Sequence, residues 1–383
     1  MIRITDKSRC CGCSACQAVC PHDAIVMRPD ALGFLYPCVD EDRCVECGLC
    51  EKVCDFAGRK KSTVQPAAEV YAARHKDKDA LAASQSGGVF TALSDVIISS
   101  GGTVYGAAFD ERLSVKHLSA CTPAGRDAFR GSKYIQSRME DTFRQVLDDL
   151  KAGRPVLFTG TPCQTAGLRS FVPERYAANL YLVDFICHGV PSPAVWKAYV
   201  EDMGRYGTLV KADFRDKSVK GWKEHKESFT YADGSRKVRE TFKVLFYKNI
   251  MLRSSCGSCT YDIYSRSSDL VIADFWGVEN FCPQMDGDSG TSMTVVLTEK
   301  GRRMLSEAAR DLELQPVEPD FKRIAMRNPN LLSATRLHPE SEDFEKAFAE
   351  RGFGYVAARW GDRGWRYKAW QLKCLLRKIS GKS

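Results

Sequence analysis

Apolar and polar residues recur with two periods along most of the chain. The stretch 89–98 places apolar residues at Val89, Phe90, Leu93, Val96 and Ile97, the spacing of a helix with one buried face. Glu69–His75 before it and Thr103–Phe109 after it read as strands, so the three make a β-α-β unit. The pattern predicts a helix over 139–150, buried strands over 155–159 and 180–186, and a helix from about 193 to 203. The stretches 211–215, 227–232 and 241–246 read as strands, with Asp233-Gly234 a hairpin signal between the last two. Leu270–Asp274 and 294–297 are further strands, and 300–311 a helix. Strands alternating with helices predict an α/β body with a mixed sheet.

The first 57 residues follow another rule. Cys10, Cys13, Cys16 and Cys20 have the spacing C-x2-C-x2-C-x3-C, and Cys44, Cys47, Cys50 and Cys54 repeat it at a constant offset of 34 residues. This is the spacing of a bacterial ferredoxin with two [4Fe–4S] clusters, in which three thiolates come from one loop and the fourth serves the other cluster. It groups Cys10, Cys13, Cys16 and Cys54 on one cluster, and Cys44, Cys47, Cys50 and Cys20 on the other. Zinc sites pair C-x2-C knuckles rather than running four Cys in eleven residues, and disulfides need an oxidising compartment. Cys11 and Cys38 fall off the pattern and read as bystanders. Asp55 stands where a Pro would follow the second run. The fold class is an α+β ferredoxin-like two-cluster module fused to the α/β body. The divisions expected are the module at 1–57, a linker at 58–68, the two parts of the body at 69–150 and 151–320, and a helical C-terminal region at 321–383.

Composition adds limits. The 383 residues are 44% hydrophobic and 27% charged, as in globular proteins, but the 17 Cys are far above the ordinary share. Residues 1–9 are short and polar, unlike a signal peptide, and no run of about 18 apolar residues exists. A cytoplasmic location is expected. Nearly all of the net charge of +8 lies in 359–383, where Arg359, Arg363, Arg366, Lys368, Lys373, Arg377, Lys378 and Lys382 face Asp362 alone. The rest is close to neutral, which argues against nucleic-acid binding by a broad basic face. Trp360, Trp365 and Trp370 interleave with these charges, and Leu372, Leu375, Leu376 and Ile379 have helical spacing. Three readings stay open for this tail: peripheral contact with the inner membrane surface, a helix packed on the body, or docking to an acidic ferredoxin or partner subunit.

Four further Cys stand at informative places. Cys163 and Cys187 each follow a buried strand, and Cys256 and Cys259 form a C-x2-C in a polar loop. Ligands of open α/β sheets collect beyond the carboxyl ends of the strands. The four could hold a third cluster, with Cys282 in reserve, or be two inert Cys and a surface pair. Cys121 and Cys374 read as structural. Ser84-Gln85-Ser86-Gly87-Gly88 could offer backbone N–H groups to a phosphate or simply cap a helix. Gly131-Ser132-Lys133-Tyr134 could bring a cation and a ring to a cofactor or be a polar loop. Asp274-Phe275-Trp276-Gly277 could supply stacking or core. No G-x-G-x-x-G is present. Gly287-Asp288-Ser289-Gly290 has the form of a serine-protease nucleophile loop, without a matching context.

Six motifs in order carry a resemblance. They are Ser86-Gly87-Gly88-Val89-Phe90-Thr91, Gly131-Ser132-Lys133-Tyr134-Ile135-Gln136, Gly160-Thr161-Pro162-Cys163-Gln164, Cys187-His188-Gly189-Val190-Pro191-Ser192-Pro193, Cys256-x2-Cys259 and Ala273-Asp274-Phe275-Trp276-Gly277. Over roughly 69–310 the chain resembles the coenzyme F-420 hydrogenase/dehydrogenase beta-subunit family. The resemblance implies FAD near Ser86, Gly87, Gly88, Lys133, Tyr134 and Thr161, and a third cluster on Cys163, Cys187, Cys256 and Cys259. It implies an iron–sulfur flavoprotein oxidoreductase whose redox partner is a ferredoxin or reduced deazaflavin. The alternatives are a relay subunit for a partner enzyme and an envelope-polysaccharide biosynthesis protein with structural clusters. His188 is the nearest candidate for a general acid, its other reading being a backbone-capping residue.

Overall fold

The computed structural model describes residues 1–58 and 69–365, with 367 and 369. Its strands in chain order are β1 (Ile25–Pro29), β2 (Leu35–Val39), β3 (Glu69–His75), β4 (Thr103–Phe109), β5 (Val115–Ala120), β6 (Val156–Gly160) and β7 (Leu180–Phe185). There follow β8 (Leu209–Asp213), β9 (Glu227–Tyr231), β10 (Arg236–Arg239), β11 (Leu270–Asp274), β12 (Ser292–Val296) and β13 (Leu312–Val317). β1 and β2 pair near the N-terminus, and β8, β9 and β10 form a small antiparallel sheet. The other eight make one sheet in the order β13-β3-β12-β11-β7-β6-β4-β5. Its central pairs, β4–β6, β6–β7 and β7–β11, are parallel, and the outer pairs antiparallel. The body is therefore α/β with a mixed sheet, and a small ferredoxin-like region precedes it.

The centre of the sheet is apolar on both sides because helices cover both. Val89, Leu93 and Ile97 of the helix Val89–Ser99 join Met304 and Leu305 of the helix Glu299–Ala308 on one face. Phe143, Val146 and Leu150 of the helix Thr142–Lys151 join Leu168 of the helix Pro162–Phe171 on the other. The first strand of the small sheet lies at Leu209–Asp213, two residues before the stretch expected. The stretch 241–246, expected as a strand, is instead the helix Thr241–Tyr247. Its apolar residues Phe242, Leu245 and Phe246 have helical spacing and bury one face against Trp196 and Phe214. Burying each such side chain contributes about 1.5–3 kcal/mol, well above the β preference of aromatic residues.

The N-terminal region shares its core with the body. Ile2, Ala15, Ile25 and Val53 pack in the same cluster as Phe143 and Leu168, and Leu32 and Phe34 in the same cluster as Trp196. Ser192 Oγ and the Ala194 N–H donate to the Leu32 carbonyl at 2.6 and 3.1 Å. Apart from residue 58, the linker expected at 58–68 lies outside the described residues. So does most of the tail from 366 on. Within its described part, Trp360 is buried against Phe344, while Trp365 is exposed. Among the described residues no helix is long and apolar enough to cross a membrane.

Candidate functional site

The duplicated Cys runs fold as duplicated backbone. Gly12 and Ser14 have positive φ before the short helix Ala15–Ala18, and Glu46 and Gly48 have it before Leu49–Lys52. These left-handed residues turn each loop so that its thiols face inward; Ser14 and Glu46 adopt a conformation normally left to Gly, Asn or Asp. Cys44, Cys47 and Cys50 line one pocket together with Cys20 from the other run. Cys10, Cys13, Cys16 and Cys54 are mutual neighbours: burial pushes the Cys16 thiol up, and the other three push it further. The crossed grouping read from the spacing is therefore what the fold brings together. The first set is the outer one, with Cys47 exposed. The second lies under the body, and a Cβ on Gly167 would come within 2.8 Å of Cys13 Sγ.

Cys163, Cys187, Cys256 and Cys259 all line a cavity of about 90 Å³. Cys163 is the second residue of the helix after β6, Cys187 follows β7, and Cys256 lies in the turn Ser254–Ser258. The first two stand at the carboxyl ends of parallel strands, and the turn with Cys256 comes from the segment before β11. Burial pushes Cys256 up to about 12 and Cys259 to about 11. Cys163 is held at about 7 by a hydrogen bond from Cys11, with Thr161 assisting. Among the described residues no three metal-binding side chains are close enough together to hold a single ion. The four thiols surround open space.

Cys11, expected as a bystander, lies in the same cavity. Its thiol is shared as donor between Cys13 of the inner set and Cys163. It therefore joins the two groups of cysteines. Arg253 and Gln136 also meet there. Arg253 Nε donates to the Cys10 carbonyl at 2.7 Å, and Gln136 Nε2 to the Cys11 carbonyl at 2.8 Å. Neither was singled out from the sequence, although Gln136 closes one of the six motifs and Arg253 stands three residues before Cys256. Cys282 is buried in another apolar cluster, and Cys38 and Cys121 are exposed.

The residues expected near FAD fall in three places, of which Thr161 caps the helix of Cys163, its Oγ1 3.2 Å from Cys163 Sγ. Gly87 and Gly88 are buried, and a Cβ on Gly87 would run into the Ala73 carbonyl and the Ser292 backbone. Ser86 Oγ donates to the Thr291 carbonyl at 2.9 Å. Packing against β3 and β12 is thus enough to explain this loop. Lys133 Nζ donates to the carbonyls of Ala128 and Arg130 at 2.8 and 2.7 Å, and burial pulls it down to about 7. The Tyr134 ring meets Phe214, His225 and Phe246, and its hydroxyl reaches Arg215. Arg215 is ion-paired with Asp274 at the end of β11 and lies over Trp276, which stacks on Trp222 at 4.6 Å. Lys217 Nζ donates to the carbonyls of Leu81, Ser84 and Ser289, and burial brings it down to about 8. His188 bonds Asn330, has Asp274 nearby, and is kept below the usual histidine value by burial.

Residues 153–320 match the family described as the C terminus of the Coenzyme F420 hydrogenase/dehydrogenase beta subunit. The resemblance is shown. Four of the six motifs lie inside this match, and those beginning at Ser86 and Gly131 lie before it. Residues 9–57 match the 4Fe-4S dicluster domain. Together the matches support an iron–sulfur protein with the electron-transfer chemistry of oxidoreductases. No curated relative matches the chain. A solved structure similar to it is described as "Xenon derivatization of the F420-reducing [NiFe] hydrogenase complex from Methanosarcina barkeri". The likeness has 20% identity and a TM-score of 0.49, over 68% of this chain and 88% of that one.

Proposed function

We propose that the chain is an iron–sulfur flavoprotein oxidoreductase, passing electrons between ferredoxin-type clusters and an FAD-linked hydride donor or acceptor. Cys20, Cys44, Cys47 and Cys50 hold an outer cluster, Cys10, Cys13, Cys16 and Cys54 an inner one, and Cys163, Cys187, Cys256 and Cys259 a third. The observation that carries this reading is the cavity that Cys163, Cys187, Cys256 and Cys259 line together with Cys11 of the N-terminal run. A path from surface to interior then runs outer, inner, third, and on to the strand ends that carry His188 and Asp274.

FAD, when bound, supplies a group that exchanges either single electrons or a hydride. The residues around Tyr134 fit such a ligand. Lys133 and Lys217 are held by carbonyls and have no ion pair among the described residues, so phosphates would complete them. Gln85 Nε2 and His225 Nε2 are buried without a partner. Tyr134 and Trp276 offer ring faces, fixed by Arg215. His188, kept below the usual histidine value by burial and with Asp274 nearby, is the candidate general acid. The partner is a one-electron carrier such as ferredoxin, a hydride donor such as reduced deazaflavin, or a further subunit, and the location is cytoplasmic.

A second reading, a relay subunit without flavin, is favoured by one observation: the Ser86-Gly87-Gly88 loop is explained by packing alone. Anaerobic purification separates the two. The oxidoreductase should carry about 12 Fe per chain, in three clusters of four, with bound flavin that bleaches on reduction. About 12 Fe without flavin would leave only the relay, and about eight Fe without flavin would remove the third cluster as well.

A further inference from the structure

Arg253 is completely buried, and none of the ion pairs among the described residues includes it. Its guanidinium donates to three neutral acceptors: the Cys10 carbonyl at 2.7 Å, the Leu35 carbonyl at 2.9 Å and Gln136 Oε1 at 2.9 Å. Its fourth acceptor is Cys10 Sγ, 3.6 Å from Nη2. The rings of Tyr36 and Phe34 cover it at 4.2 and 5.5 Å. A buried charge without a counter-ion is strongly unfavourable. The missing anion is what four thiolates around an iron–sulfide core would supply, since their charge outweighs that of the core. The choice of Arg follows from the number of acceptors, because a fixed fork reaches all four and an ammonium would not.

The duplication makes the asymmetry plain. At the inner loop, Gly12 lies so close to the guanidinium that a Cβ there would be 2.8 Å from Arg253 Nη1. The corresponding outer position is Glu46, exposed and carrying a carboxylate. One cluster thus has a buried cation against a ligand sulfur, and its twin has solvent and an acid. Net charge, hydrogen bonds to the sulfurs and exposure are the quantities that set cluster potentials. The cation and its hydrogen bond favour the electron on the inner cluster, against the solvent that favours it on the outer one, so the order of the two potentials depends on Arg253.

We infer that Arg253 is the buried counter-charge of the inner cluster and sets its reduction potential above that of the outer one, so that an electron arriving at the surface is drawn inward. The inference rests on the cluster assignment proposed above. The step it governs is a single electron transfer: the outer cluster is oxidised by one electron, the inner is reduced by one, and no bond or proton changes place. Arg253 also lines the cavity of Cys163 and Cys256, so the same charge faces the next station.

The test is an EPR-monitored redox titration of R253Q, made after iron has been counted. Full iron is expected, with the inner cluster's equilibrium shifted at least tenfold against the electron, which is 59 mV for one electron. The outer cluster should not move. R253K keeps the charge but not the fork, and should shift the inner cluster less than R253Q does. Q136E sets a carboxylate against the guanidinium in place and should shift the inner cluster as R253Q does. Unmoved potentials in a fully loaded R253Q overturn the inference; if R253Q loses iron, unmoved potentials in loaded Q136E overturn it instead. Missing iron in the wild-type protein would strike the cluster assignment, a separate failure.

Discussion

Tyr261 Oη donates a hydrogen bond to the Asp55 carboxylate at 2.6 Å. The bond ties the residue two past Cys259 to the residue next to Cys54, closing the N-terminal region onto the body beside the cavity. Tyr261 is buried, and burial together with nearby negative groups keeps its hydroxyl protonated. Hydrogen bonds to charged groups contribute about 1.5–3 kcal/mol. Tyr261→Phe should lower stability by about that amount without loss of iron. Anaerobic urea unfolding, followed by visible absorbance and by circular dichroism, measures it, and an unchanged midpoint would remove this bond from the docking.

His117 gives a pH dependence that can be read separately from the clusters. Its ring stacks on Phe158 at 5.0 Å, and Nε2 pairs with the Thr159 carbonyl while Nδ1 has no partner. Burial lowers its value from 6.5 to about 4. Between those values the unfolded chain binds the proton and the folded chain does not. Stability therefore falls as pH drops below 6.5, by about 2 kcal/mol at pH 5. In His117→Phe this part of the slope should vanish. Paired urea titrations at pH 7 and pH 5 decide it; parallel slopes would show that the group carries no linkage.

The third-cluster proposal separates cysteines by their surroundings. Cys163→Ala should remove about a third of the iron, because one of three clusters loses a ligand. Cys282→Ala should leave the iron complete and cost about 1 kcal/mol, since Cys282 is buried in the apolar cluster of Phe275, Met285 and Phe281. Iron analysis and a melting curve on both proteins suffice. Equal iron in both would refute the role given to Cys163.

The outer and inner clusters should also differ toward chelators. Cys47 is exposed, whereas Cys16 is buried beneath the helices of the body. A mild oxidant with a chelator should strip about a third of the iron in an early phase, leaving the rest to a slower one. Timed EPR spectra of reduced samples would show which signal goes first. A single phase would mean that exposure does not distinguish the sites.

The ferredoxin-like loops were legible because their geometry is local: each turn, its small residues and its thiols fall within eleven positions. The buried central strands were legible as unbroken apolar runs, as in Val156, Leu157 and Phe158. The strands missed outright in the large sheet, β5 and β13, are its two edges. Lys116, Ser119, Glu313 and Pro316 dilute their apolar pattern, as edge strands permit. The error at 241–246 came from aromatic residues whose helical spacing was hidden in a short run. Cys11, Gln136 and Arg253 could not be read as a group, because the contacts that join them span 117 and 125 positions of sequence.

The core shared by the two parts of the chain favours an order of manufacture. Leu32 and Phe34 are buried with Trp196, and Cys13 is pressed against Gly167, so closing the body narrows the way to Cys13 and the buried Cys16, while Cys47 stays exposed. A scaffold delivering iron and sulfide reaches the inner ligands more readily before that closure than after it. On the proposed assignment, the N-terminal segment is best loaded while the ribosome is still producing the body. A chain that misses this interval folds around an inner site that fills more slowly than the outer one.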